Sequence, residues 1–266
     1  MVRIQTILSI CYHVEAIKAV VDTLLRQPQL TQDIVVIENP SEYTESDIKP
    51  FIMDLMDKGH VTQYFLTDRN ITHNATKRII LDGKININKT KKILITNGNL
   101  SCKYDSWFPK QLHVLNTYSN VMVCGVPISM ENCPKGNERA ILPMHSTKPK
   151  DYDIGFGGKH MLLMRSSEFN DFTKTTLPSK PYIDATLHHY TRKKGKLWTI
   201  IKDPKFYRHT WDLMTAVPRD PYIDRKGKHL LKGFWRHEQY CSYTMYLPDG
   251  SSEKTEIKDN MKKVFE

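Results

Sequence analysis

The stretch that decides the fold is IQTILSICYHVEAIKAVVDTLLRQPQLTQDIVVIENPS, residues 4–41. It carries two apolar periods in succession. Ile4 to Cys11 is a β-branched apolar run, the pattern of a buried strand. Val14, Ile17, Val20, Val21, Leu24 and Leu25 then recur at helical spacing, one face of an amphipathic helix. Gln27-Pro28-Gln29 stops that helix. Asp33 to Ile37 is a second buried run, closed by Glu38-Asn39-Pro40-Ser41. Strand, helix, strand predicts parallel pairing, because the crossover carries the chain back to the same end of the sheet.

The rhythm continues outward. Ile48, Phe51, Ile52, Leu55 and Met56 predict a second helix that Ser46 or Asp47 can cap, with Pro50 in its first turn and Gly59 at its close. Val61 to Leu66 predicts a third strand, Thr67 to His73 a polar loop, and Ala75 to Leu81 a short helix. Lys92 to Thr96 is a fourth strand that stops at Asn97-Gly98-Asn99. Trp107 to Leu115 reads as a helix and Val121 to Val126 as a fifth strand. The class is α/β, with a Rossmann-like, mainly parallel sheet flanked by helices. Ligands of such sheets lie beyond the carboxyl ends of the strands. That singles out Tyr12-His13, Glu38-Asn39, Thr67–Asn70 and Asn97–Asn99. Met130 to Tyr152 then reads as a long loop. Met161–Met164 and Leu197–Ile201 read as strands, and Ile183–Arg192 as a helix. Phe234 to Tyr246 predicts a hairpin over the sheet, and Ser251 to Glu266 a charged surface helix.

Composition narrows the classes. Lys and Arg number 39 against 29 Asp and Glu in 266 residues, a net charge of +10, which raises nucleic acid or another phosphate as partner. An aromatic content of 10% excludes gross disorder. No run approaches the roughly 18 apolar residues of a membrane span. Five widely spaced cysteines without CxxC suggest neither a disulfide framework nor a zinc site. The N-terminus reads as a first strand rather than a leader, so a cytosolic setting is expected, the host's cytoplasm where the source is a virus. GxGxxG after the first strand, GxxxxGK[ST], GxSxG and HExxH are all missing, which takes weight from dinucleotide, P-loop, serine-hydrolase and zincin chemistry. No helix-turn-helix, zinc-finger or RNP pattern occurs and the basic residues are dispersed, so nucleic acid is not the expected partner.

Several segments, taken in order, resemble GT-A glycosyltransferases, most nearly family 2. They are IVVIENPS at the end of strand two, TDRNITHNATKR after strand three and ILITNGNLS at strand four. GFGGKHMLLMRSSEF and PYIDATLHHYTRKKGKLWTIIKDPKFYRHTW follow. The resemblance spans roughly residues 3–212. It implies a nucleotide-sugar-binding half at 1–130 and an acceptor-binding, catalytic half of the same domain at 131–266. It implies an inverting transfer from a nucleoside diphosphate sugar, UDP favoured, to a hydroxyl of a glycan or glycoconjugate. Peripheral membrane association is compatible with such an acceptor.

The resemblance also implies roles for residues. Tyr12 or His13 would pack on the nucleotide. Glu38, Asp68 and Asn70 would meet base or ribose. Asn97-Gly98-Asn99 stands where the family has DxD, whose carboxylates hold a divalent metal, Mn or Mg, on the diphosphate. Neutral Asn is a poorer ligand for a hard cation, which leaves Asn99 and His209 as metal candidates. Arg208, Lys205 and Arg192-Lys193-Lys194 could contact diphosphate. Asp184 would be the general base and Asp153 its reserve. Gly157 and Gly158 would let backbone approach the sugar, and Trp107 and Trp211 would line the acceptor groove. Residue by residue, blander readings stand alongside: Asp184 as a helix cap, Asn-Gly-Asn as a tight turn, the tryptophans as core. Two other classes stay open, an inactive nucleotide-binding relative and a basic nucleic-acid-binding protein.

Overall fold

A computed structural model describes residues 2–27, 30–71, 74–87, 90–129, 131, 151–156, 158–177, 183–202, 205–208 and 241–256. The chain begins β1 (Val2–Cys11), α1 (Val14–Leu25), β2 (Leu30–Asn39). A π-helical turn at Thr44–Ile48 runs into α2 (Lys49–Asp57), followed by β3 (Val61–Thr67), α3 (Asn74–Leu81), β4 (Lys92–Asn97) and β5 (Leu100–Ser101). Next come α4 (Trp107–Thr117), β6 (Val121–Gly125), β7 (Tyr152–Ile154), β8 (Leu162–Arg165), α5 (Ser166–Thr175) and α6 (Ile183–Lys193). The described chain closes with β9 (Leu197–Ile201), β10 (Tyr207–Arg208), β11 (Tyr243–Tyr246) and β12 (Ser252–Thr255).

Ten strands form one sheet in the order β12-β11-β3-β2-β1-β4-β8-β6-β9-β7. Strands β3, β2, β1 and β4 are parallel neighbours, and β6 pairs parallel with β9. Only β11, β8 and β7 run against the rest. The sheet is therefore mainly parallel, as the alternation of periods predicts. Strand β8, from the second half of the sequence, lies between β4 and β6 from the first, so both halves share this sheet.

Both faces are covered, which is why the central strands are apolar on both. On β1, Ile4, Leu8 and Ile10 face a core shared with Ile17 and Val20 of α1, Ile52 of α2 and Val114 of α4. Ile7 faces the other core, with Ile79 of α3, Phe172 of α5 and Leu187 of α6. Each such fully buried side chain contributes about 1.5–3 kcal/mol.

Two expectations are corrected, and one helix is new. Neither Ser46 nor Asp47 caps α2: both lie inside the π-helical turn, and the N-cap is Ile48, with no side-chain cap bond. Ser252–Thr255 is a strand, not the start of a helix, because Leu247–Ser251 turns the chain back to pair with β11. Helix α5 was not expected, its mean hydropathy being low; Phe169 and Phe172 pack it into the core, and its Asp171 accepts from the Tyr190 hydroxyl of α6. Among the described residues, no helix is long and apolar enough to cross a membrane.

Candidate functional site

The carboxyl ends of β1, β2, β3 and β4 meet in one place, and short polar links tie them. Asn39 accepts a hydrogen bond from the Ile71 N–H at 3.1 Å, and Asn70 donates to Cys11 Sγ at 3.4 Å. The Gly98 N–H donates to the Ser9 carbonyl at 2.7 Å, clamping the turn after β4 onto β1. At the end of β1 the chain turns sharply. Tyr12 holds a φ of 75°, a left-handed conformation that costs a non-glycine residue of the order of 1 kcal/mol or more. Its hydroxyl donates to Glu42 at 3.1 Å, and His13 follows as the N-cap of α1.

A second group enters from the far half of the sequence. Gly158 has a φ of 67°, and Met161 a φ of 47°. This irregular segment drives Lys159 into the interior, where its ammonium donates to Ser9 Oγ at 2.5 Å and Thr76 Oγ1 at 3.0 Å. Burial pushes the Lys159 ammonium down to about 8, and the Asp184 charge pulls it partly back up. Asp184 opens α6, half-buried, and its Oδ1 accepts from the Ala185 N–H at 2.8 Å. Asn97 is the register partner of Ser9. By the period-2 alternation from Ile93 and Ile95 it faces the side of the sheet that α3 and α6 cover. Ser9, Thr76, Asn97 and Lys159 thus gather at the ends of β1 and β4, and Asp184 opens α6 on the same face of the sheet.

Other expected residues do not join that cluster. Glu38 is fully buried; its Oε1 accepts from Thr44 at 2.6 Å and its Oε2 from the Tyr64 hydroxyl, so it points into the core rather than at a nucleotide. Burial raises its carboxyl above the usual range, against the pull of those two hydrogen bonds. Trp107 is also fully buried, packed edge-on against Phe108 and Phe206, so it lines no acceptor groove. Asp153 sits on β7, the sheet edge beyond β9, with Lys202 at 3.7 Å. That is four strands from β4, about 19 Å at the usual strand spacing. Asp68 is exposed, its N–H donating to the Ser242 carbonyl at 2.9 Å. Lys205 is exposed, and Arg208 pairs through β10 with Leu100 of β5. Gly157, His209 and Trp211 lie outside the described residues. Lys159 itself was missed; the glycine run before it in GFGGKH was the available signal.

The donor set can be weighed against a metal. Hard divalent cations take carboxylate oxygens by preference. Among the described residues no three His, Cys, Asp or Glu side chains are grouped to hold one. The Asn97-Gly98-Asn99 turn offers amide oxygens alone. The described residues therefore do not fit a carboxylate-held metal.

No protein-family model matches the chain. Two uncharacterized proteins of Acanthamoeba polyphaga mimivirus are similar in sequence. One is 31% identical over 225 residues, 80% of this chain and 30% of the relative. Another is 27% identical over 236 residues, 86% of this chain and 26% of the relative. The chain spans a third or less of those relatives' length. Among solved structures, a mannosyltransferase from Pyrobaculum calidifontis in complex with GDP-Man and Mn2+ superimposes with a TM-score of 0.56. The match is 10% identical and covers 86% of this chain and 62% of that one. The likeness is one of fold: the chain has a GT-A-like α/β fold.

Proposed function

We propose that the chain is a glycosyltransferase, family 2-like, that moves a sugar from a nucleoside diphosphate donor to a hydroxyl of a glycan or glycoconjugate. The observation that carries this reading is Asp184. This half-buried carboxylate opens α6, whose Ile183 and Leu187 pack in the same core as Ile7 of β1 and Ile95 of β4, on the sheet face that also carries Ser9 and Lys159. The fold shared with an enzyme captured with GDP-Man supports it. Residues 1–130 would hold the nucleotide and 131–266 the acceptor. Tyr12, His13, Asp68, Asn70, Asn97 and Asn99 remain candidates for nucleotide contact, and Gly158 for close approach of the sugar.

In the proposed reaction, the Asp184 carboxylate takes the proton of the acceptor hydroxyl as its oxygen attacks the anomeric carbon. The bond from that carbon to the diphosphate breaks on the opposite face, the diphosphate leaves with the electron pair, and configuration inverts. General base assistance of this kind is worth roughly 10²–10⁴-fold.

A thermal-shift panel of UDP, GDP and CDP, each with and without manganese, tests the reading, since a ligand bound to the native state raises apparent stability. A rise with one nucleotide, UDP expected, supports it. No rise with any of them sinks it. Binding without turnover of any sugar nucleotide would instead identify an inactive relative, the reading that the neutral Asn-Gly-Asn turn favours.

A further inference from the structure

Lys159 is only 2% exposed, and the two groups that receive its hydrogen bonds, Ser9 and Thr76, are neutral hydroxyls. Among the described residues no carboxylate lies within 4 Å of its ammonium; Asp184 acts on it from further away. Burying a cation without a contacting anion is costly, and proteins keep such a charge where a partner or a ligand compensates it. Its position suggests which ligand. Ser9 is half-buried and is the register partner of Asn97, and the Gly98 N–H is fixed to the Ser9 carbonyl. The ammonium is therefore bonded to the side chain of Ser9, the residue whose carbonyl holds the Asn97-Gly98-Asn99 turn in place. The amides of that turn bring no charge of their own.

We propose that Lys159 is the cation that holds the donor's diphosphate, so that nucleotide binding needs no divalent metal. This rests on the nucleotide-sugar reading given above. Lys159 donates to both hydroxyls, and Ser9 and Thr76 also bond each other at 2.6 Å. With Thr76 donating in that bond, the Ser9 proton is left to a phosphate oxygen, and Ser9 carries the influence of the ammonium to the surface. When the bond from sugar to diphosphate breaks, negative charge grows on the leaving phosphate. A preorganised ammonium in a water-poor site favours that charged state over the intact donor. Lys159 acts here through Ser9, as a positioning residue, and Asp184 takes the acceptor's proton.

Calorimetric titration of the full chain tests this, with UDP, GDP, CDP and inorganic pyrophosphate, in EDTA and in excess Mn2+. The wild type is expected to bind a nucleoside diphosphate and pyrophosphate equally well in EDTA and in Mn2+. Lys159→Met is expected to lose about 10- to 100-fold in affinity for both, because the Ser9 hydroxyl loses the ammonium that orients and polarises it. Circular dichroism checks that the variant folds. If it does not, Lys159→Gln, which can still donate to a hydroxyl, replaces it, and the wild-type metal comparison stands without either. Nucleotide binding by the wild type that appears only with Mn2+, or variants that bind as the wild type does, overturns the assignment of Lys159 and leaves the nucleotide-sugar reading intact. No binding of any nucleotide under either condition overturns that reading and this proposal with it.

Discussion

Gly98 lies so close to Ile10 that a Cβ built on it would come within 2.8 Å of Ile10 Cγ2. Ile10 is 2% exposed and fixed in the central strand, so it has little room to yield. The turn after β4 thus needs glycine for close approach rather than for backbone freedom. Gly98→Ala is expected to lower stability by roughly 1–3 kcal/mol, the usual cost of overpacking. By displacing Asn97 and Asn99 it should also weaken nucleotide binding. Urea unfolding that leaves the variant as stable as the wild type would contradict the contact.

Asp184→Asn separates the two roles open to this residue. Among the described residues, its side chain accepts one hydrogen bond, from the N–H of its own neighbour Ala185, and an Asn oxygen can accept that as well. Stability should therefore change by less than about 1 kcal/mol. Turnover should fall about 10²–10⁴-fold, because an amide cannot take a proton from the acceptor hydroxyl. Full turnover by a folded variant would sink the base assignment.

Lys159 predicts a conflict between stability and binding. Burial depresses its folded value to about 8 from the ordinary 10.5. Between those values the unfolded chain holds a proton that the folded chain has released, so this residue makes stability rise with pH across that window. Below it, the folded state carries the cost of a buried ammonium. Lys159→Met is therefore expected to be more stable than the wild type by about 1–3 kcal/mol at pH 7. That advantage should shrink as pH climbs toward 10. Lys77 and Lys92, also held low by burial, are present in both proteins and cancel in the comparison. Denaturant unfolding of the pair at pH 7 and pH 10 measures it; an advantage independent of pH would contradict the buried charge.

The parallel frame was legible because Ile4–Cys11 and Asp33–Ile37 are apolar on both faces, a demand that only a sheet covered by helices on both sides makes. The carboxyl ends of the strands were legible for the same reason, which is how Tyr12, Asn70 and Asn97 were singled out as candidates. The orientation of single side chains was not. Glu38 reads as a loop acid beside Asn39-Pro40, yet Tyr64 and Thr44, on other elements, draw it into the core. Trp107 begins a helix that could have faced either way, and its edge-on packing against Phe206 depends on a contact 99 residues distant. Lys159 was hidden because a lysine in a glycine-rich turn is ordinarily solvated. Only the left-handed turns at Gly158 and Met161 send it inward.

The Glu38–Tyr64 pair gives a pH-dependent test of the core. Burial raises the Glu38 carboxyl above 4.5, so the folded state binds its proton more readily than the unfolded chain does. Its contribution to stability is full below the unfolded value and is lost as pH rises through the folded one. When the carboxylate does ionise, the Tyr64 hydroxyl is one of its two hydrogen-bond donors. Tyr64→Phe therefore leaves one buried carboxylate oxygen without a donor, a cost of about 1–3 kcal/mol. A protonated carboxyl asks less of its surroundings, so the cost should be smaller at pH 5 than at pH 7. Unfolding free energies of wild type and variant at the two values check this. A penalty that does not shrink on acidification would mean that Glu38 keeps the same protonation state at both pH values.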